Sequence, residues 1–131
     1  MILFYVQHLL GIGHLRRTVS IAQECRAQGL PAEVVSGGVP VPLEPVGDVR
    51  IHQLEPVKSA DLSFSRVVDS GGEPLSEALE KARTEKLLEV FHEVRPHALV
   101  TELFPFGRRR FRFELLPLLE AARIAKTPVV C

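Results

Sequence analysis

Ile2 to Val6 is an unbroken apolar run closed by Gln7 and His8, the pattern of a strand covered on both faces. Gly11-Ile12-Gly13-His14 follows. Beyond it Leu15, Thr18, Val19, Ala22 and Cys25 recur at the i, i+3, i+4 spacing of one helix face, and Gly29 and Pro31 close that helix. Strand, glycine turn and helix open a βαβ unit. Ala32 to Ser36 predicts a second buried strand, running into Gly37-Gly38 and a loop spaced by Pro40, Pro42 and Pro45. From Val49 to Leu54 apolar and polar side chains alternate, which places a third strand near a sheet edge.

Glu55 to Pro74 shows neither period and is expected to be a loop of about twenty residues, a length usually functional or mobile. Leu75 to Val94 predicts a helix with two slightly rotated stripes, first Leu75, Ala78, Leu79 and Ala82, then Leu87, Leu88, Phe91 and Val94. The slip between them, at Arg83 to Lys86, predicts a kink or two shorter helices. Glu77 and Lys81 have the spacing of an i, i+4 pair. Pro96 stops the helix, His97 to Thr101 predicts a fourth strand, and Glu102 to Arg110 a loop into a leucine-rich last helix, which Pro117 either kinks or opens anew. Pro128 to Cys131 begins a fifth strand. The alternation predicts an α/β, Rossmann-like open parallel sheet in the order 3-2-1-4-5. A chain that stops inside a core strand is expected to be the first domain, 1–131, of a longer protein.

Composition narrows the class. With 131 residues, 46% hydrophobic and 24% charged, the chain can build one globular core. Lys+Arg 16 balances Asp+Glu 16, so no overall field draws in nucleic acid or anionic membrane, and any anion site must be local. Cys25 and Cys131 match no metal or redox spacing and favour a reducing cytoplasm. The uncharged opening, MILFYVQHLLGIGHL, lacks the basic start and the small-residue cleavage site of a secretory leader. No run reaches the roughly 18 apolar residues of a membrane span.

In a sheet of this order the ligand crevice lies beyond the carboxyl ends of the strands, between the first and the fourth. His8 to Arg17 and Thr101 to Arg112 should meet there. Gly11 and Gly13 supply two glycines of a dinucleotide fingerprint, but Arg16 stands where the third belongs and Ser36 where an acidic residue would hold a ribose, which argues against NAD or FAD. The turn still lets backbone approach a ligand, and the N–H groups that open the helix favour negative charge. Arg16 and Arg17 sit in a first turn that disfavours cations, which suggests an anionic partner. Ser36 and Gly37 end the second strand at the same edge. His14 at the mouth of the turn is either a general base or a capping imidazole. Glu102, at the end of the fourth strand, could accept a proton or bind a hydroxyl, or be a plain surface carboxylate. Of Arg108, Arg109, Arg110 and Arg112, one or two are placed to meet a phosphate, Arg108 first. The phenylalanines between them are better spent on packing than on stacking nucleic-acid bases. His8 reads as structural, and no His, Cys and carboxylate set has metal-ligand spacing.

FYVQHLLGIGHLRR, VVSGG and TELFPFGRRRFRFELLPLLEAAR together resemble the bacterial predicted glycosyltransferases of the MurG-like, family-28 type, over nearly the whole chain. The resemblance implies a GT-B enzyme with two Rossmann-like domains facing across a cleft. This chain would supply the N-terminal, acceptor-side domain, and an absent C-terminal domain would hold most of the nucleotide-sugar. It implies a hexosyl or N-acetylhexosaminyl transfer from an NDP-sugar to a sugar, lipid or small-molecule acceptor. No bound cofactor or metal is implied. The location would be cytoplasmic, at the inner face of the membrane if peripheral, with self-association through the uncovered interdomain face. Gly11, Gly13 and His14 match the end of the family's glycine-rich first turn, although the G-G-T-G-G-H form of MurG itself is not kept. The spacing G-x-G-H-x-x-R, Gly11 to Arg17, is similar to that of nucleotide-sugar hydrolases of the same fold, so the turn alone leaves transfer and hydrolysis open. A non-enzymatic flavodoxin-like module is the other class, and it would want acidic residues where Gln7 and His8 stand.

Overall fold

A computed structural model describes residues 1–43, 46–61 and 66–131. In chain order the elements are β1 (Ile2–Val6), α1 (Gly13–Ala27), β2 (Ala32–Ser36), β3 (Arg50–Gln53), β4 (Val57–Ser59), β5 (Val67–Asp69), α2 (Glu77–Val94), β6 (Ala98–Thr101), α3 (Arg112–Ile124) and β7 (Val129–Val130). Five strands form one parallel sheet in the order β3-β2-β1-β6-β7. This is the expected 3-2-1-4-5 with a hairpin inserted after the third strand. Register aligns Tyr5 with both Val35 and Thr101, so Gln7, Ser36 and Glu102 finish at one edge.

Alternation along β1 sends Phe4 and Val6 to one face and Leu3 and Tyr5 to the other. The first pair meets Leu15, Val19 and Ala22 of α1, the stripe read from the sequence. The second meets Leu87, Val90 and Phe91 of α2 and Leu115, Leu118 and Ala122 of α3. Gly29, at φ +80, and Pro31 end α1 as expected.

Three expectations are corrected. The segment 55–74 contains an antiparallel hairpin, β4 with β5, in which Val57 and Val68 are buried. Its first strand is hooked to the sheet edge by Val57 N–H to the Gly37 carbonyl and Ser59 N–H to that of Leu9, both 3.1 Å. Strands of three residues are too short for alternation to register. Residues 62–65 of that segment, and Glu44 and Pro45 of the proline-spaced loop, lie outside the described residues. Next, α2 is one helix, capped by Ser76 Oγ accepting the Leu79 N–H at 3.1 Å and ended by Arg95 in the left-handed region. The slip in its stripe does not divide the helix: Arg83, 0% exposed, occupies the core position between the two apolar groups. Its surface pairs are Lys81 with Glu85 and Lys86 with Glu89. Lastly, of the two alternatives for Pro117, opening a new helix is excluded, since it lies inside a continuous α3. Proline cannot donate to the Phe113 carbonyl one turn back, and Thr84 Oγ1 of α2 approaches that oxygen at 3.5 Å instead.

Candidate active site

The site grows from the end of β1. Gln7 and His8 are buried, the chain turns through Gly11, and α1 starts at Gly13 with Ile12 before it. Among the described residues no side chain caps α1, and no acidic residue sits in its first turn, so its opening N–H groups and the positive end of its dipole face the turn without an anion from that turn. A Cβ on Gly11 or Gly13 would meet nothing within 4 Å. Protein packing does not demand glycine there, and the turn leaves open space above the helix end.

His14, in the first turn, reaches across to Glu102 at the end of β6. Nδ1 lies 2.7 Å from Glu102 Oε1, and Arg17 Nη2 donates to the same oxygen at 2.5 Å. Arg17 Nη2 also stands 3.1 Å from Nδ1. The carboxylate is much the stronger acceptor, so Nδ1–H and the guanidinium both donate to it. That tautomer leaves Nε2 as the basic nitrogen, with no partner among the described residues. Exposure grades outward through the trio, from 16% for the Glu102 side chain to 38% for His14 and 60% for Arg17. Glu102 Oε2 is buried with no partner among the described residues.

The loop after β6 brings Arg108 to the other side. It passes through Leu103 and Arg108 in the left-handed region with a cis Phe104–Pro105 bond between them, and a single 3-10 turn, Arg109–Phe111, leads into α3. Arg108 Nε donates to the Gln7 carbonyl at 2.7 Å. Burial lowers the pKa of its guanidinium from the ordinary arginine value, with the Glu102 charge acting in the opposite sense. Leu9, Leu10, Gly11, Gly13, His14 and Arg108 line a cleft of about 300 Å³.

His14, Glu102, Gly11, Gly13, Arg17 and Arg108 are therefore brought together. Arg16 is exposed next to them, with no side-chain partner among the described residues. Ser36 and Gly37 are not at the surface of the cleft. Ser36 is 1% exposed, and Gly37 sits beneath Gln7 and Arg83, where a Cβ would come within 2.1 Å of Gln7 Oε1. The same tight turn holds His8, whose ring abuts Gly38 at 2.3 Å from an added Cβ and whose Nε2 donates to the Val39 carbonyl at 2.9 Å. Burial lowers its pKa from 6.5.

Sequence reasoning missed the group that supports this edge. Arg83 donates through Nε and Nη2 to both oxygens of Glu114 at 2.8 and 2.7 Å, through Nη2 to Gln7 Oε1 at 2.8 Å, and through Nη1 to the carbonyls of Gly37 and Glu55. The Tyr5 hydroxyl donates to Glu114 Oε1 at 2.5 Å. Gln7 thus joins this buried network to Arg108 in the cleft. The signal available was a charged residue at a core position of α2. Among the described residues, no three of His, Cys, Asp and Glu gather as a metal would need, and no helix is long and apolar enough to cross a membrane.

The parallel sheet, its strand order and its helices are those of the N-terminal domain of a GT-B glycosyltransferase. MurG from Acinetobacter baumannii superimposes over 98% of this chain and 33% of its own, with a TM-score of 0.53 at 15% identity. A UGT transferase from Siraitia grosvenorii in complex with UDP does so over 98% of this chain and 27% of its own, with a TM-score of 0.51 at 16% identity. At such identities the likeness is one of fold. The chain spans about a third of the MurG chain or less of the UGT chain. No protein-family model and no curated protein sequence matches it.

Proposed function

We propose that this chain is the acceptor-side domain of an NDP-sugar-dependent hexosyl- or N-acetylhexosaminyl-transferase, with His14 as its general base. The observation that carries the reading is the His14–Glu102 contact at the mouth of an uncapped glycine turn. An acceptor hydroxyl at Nε2 gives its proton to the ring while its oxygen attacks the anomeric carbon of the donor. The bond from that carbon to the diphosphate breaks, and its electron pair leaves with the diphosphate. Glu102 holds the ring's orientation and offsets the charge it gains. The open N–H groups of α1, with Arg16 and Arg108 beside them, are suited to the negative charge that develops on the leaving group. A second domain contributes most of the donor's binding, a division supported by the share of the MurG chain that this fold covers. The UDP in the Siraitia grosvenorii complex supports a nucleoside diphosphate as the donor's carrier.

Hydrolysis is the second reading, favoured by the spacing from Gly11 to Arg17. It needs only water in place of the acceptor at Nε2. Turnover of UDP-, GDP- and dTDP-sugars by the complete protein, followed by mass spectrometry with and without saccharide and lipid acceptors, separates the two. We expect product only with an acceptor, a loss of roughly 100-fold or more in His14→Ala, and no turnover by residues 1–131 alone. Acceptor-independent release of free sugar would establish hydrolysis, and an unimpaired His14→Ala enzyme would remove His14 from the mechanism.

A further inference from the structure

Glu102 Oε1 accepts from two donors, His14 Nδ1–H at 2.7 Å and Arg17 Nη2 at 2.5 Å, while Oε2 has no partner among the described residues. Arg17 Nη2 also stands 3.1 Å from Nδ1, so the guanidinium lies against both members of the pair. We infer that Arg17 is a positioning residue that sets how readily His14 holds a proton: it takes up part of the Glu102 charge and so keeps the ring a free base. That the ring acts as a base rests on the function proposed above; the balance of the three charges does not.

Packing does not hold an arginine at position 17. Its side chain is 60% exposed, and it lies one turn into α1, toward the end where the helix dipole disfavours a cation. From the sequence alone an anionic ligand is the reason for it. The structure supplies an anion of the protein's own, Glu102, from the end of β6. That carboxylate is poorly hydrated, its side chain only 16% exposed. Left alone with His14 it would favour the imidazolium, and Nε2 would carry a proton where an acceptor hydroxyl has to give one up. Arg17 opposes this twice, by neutralising Oε1 and by standing as a cation beside the ring.

The other ionisable groups around the ring do not share Oε1. His8, at the end of β1, is near enough to feel the charges of Arg108 and His14, and burial lowers its pKa from 6.5, so it is uncharged at neutral pH. Arg108, in the loop after β6, feels the Glu102 charge but spends Nε on the Gln7 carbonyl. Arg16, exposed on α1, has no side-chain partner among the described residues. Among those residues Arg17 is therefore the group that divides the carboxylate oxygen with His14.

Proton NMR of the His14 ring in residues 1–131 across the pH range, assigned by its absence in His14→Gln, tests the inference without any substrate. In Arg17→Ala the ring should hold its proton roughly threefold to tenfold more tightly, a modest factor because the arginine is exposed. Arg17→Lys should keep most of the wild-type behaviour. Arg123→Ala, which removes an equal charge from the last turn of α3, should leave the ring unchanged. With Glu102→Gln in place the guanidinium has lost its anchor, and the further change Arg17→Ala should have little effect. An unmoved titration in Arg17→Ala, or a shift just as large on the Glu102→Gln background, overturns the inference. In the complete protein, kcat/KM for whichever of the UDP-, GDP- and dTDP-sugars turns over should fall in Arg17→Ala at the acid end of the pH profile and hold at the alkaline end. A loss uniform in pH would make Arg17 a structural group, and a raised KM for the sugar nucleotide with an unmoved profile would make it a donor contact; either result overturns the inference. A ring that shifts as stated in a protein without sugar-nucleotide turnover would refute the proposed function and leave the role of Arg17 in place. His14-dependent turnover with an unmoved ring would do the reverse.

Discussion

The two faces of the sheet are held by different chemistry. Under α1 the contact holds no buried charge: Phe4, Val6 and Val34 meet Leu15, Val19 and Ala22, with the Thr18 hydroxyl the one polar group of the helix's buried stripe. Under α2 and α3 an ion pair sits at the centre: Arg83 and Glu114, both 0% exposed, with Tyr5 bonded to the carboxylate and the Phe111 ring 5.5 Å from the guanidinium. Apolar contact is tolerant of exact partners, since any shape that fills the space suffices. A buried ion pair is stable only while every member is present, because a single survivor is a charge in a low dielectric. The site edge is built on the second kind of packing, through Gln7 and the Gly37 carbonyl.

The sharpest test removes one member of the pair. Arg83→Ala should cost about 3–5 kcal/mol in denaturant unfolding, leaving Glu114 without its cation. Arg83→Met with Glu114→Met should recover part of that loss and no more, because the Glu55 carbonyl, Gln7 Oε1 and the Tyr5 hydroxyl lose these partners and the Gly37 carbonyl keeps only the Val57 N–H. Full recovery would mean that those carbonyl contacts contribute nothing. On the other face Leu15→Ala should cost about 2–4 kcal/mol, the price of a cavity alone. An equal cost for the two single changes would erase the contrast between the faces.

Smaller effects follow from titration. Burial first, and the Glu114 charge after it, hold the Tyr5 hydroxyl well above 10.0, with Arg83 opposing. The unfolded chain therefore sheds that proton first, so Tyr5's contribution is complete below about pH 10 and is lost as pH rises beyond it. Tyr5→Phe should abolish this alkaline limb and cost about 1–3 kcal/mol at neutral pH through the lost bond to Glu114. His8 runs the other way. Its folded pKa lies below 6.5, so its contribution is complete above that value and is lost as pH falls toward the folded one. Unfolding midpoints between pH 5 and 7 should show a shallower acid limb in His8→Gln, and an unchanged slope would refute the assignment.

How much was legible follows the same division. The α1 stripe, the strand order and the meeting of His14 with Glu102 could be read because apolar periodicity and parallel topology fix them. Arg83 broke the stripe of α2 and read as a kink or a join of two shorter helices, since a one-dimensional pattern cannot show that a charge 31 residues away, Glu114, makes burial tolerable. Ser36 and Gly37 were placed at the right edge but not at the right depth. Their burial depends on Gln7 and Arg83 lying over them, which only tertiary packing reveals. The hairpin was missed for want of length.

Arg83 also has a hereditary consequence. One guanidinium serves Gln7, Gly37, Glu55 and Glu114, drawn from the turns after β1, β2 and β3, and from α3. No side chain of another shape reaches all of them, so drift at 7, 83 or 114 strands the rest, whereas Glu55 takes part through its backbone carbonyl alone. Three of these positions, 7, 83 and 114, are bound by side chain to side chain, and the fourth, 37, has no room for a Cβ. Descendants of this sequence can exchange one apolar side chain for another of similar volume beneath α1, while these four positions must change together or stay as they are.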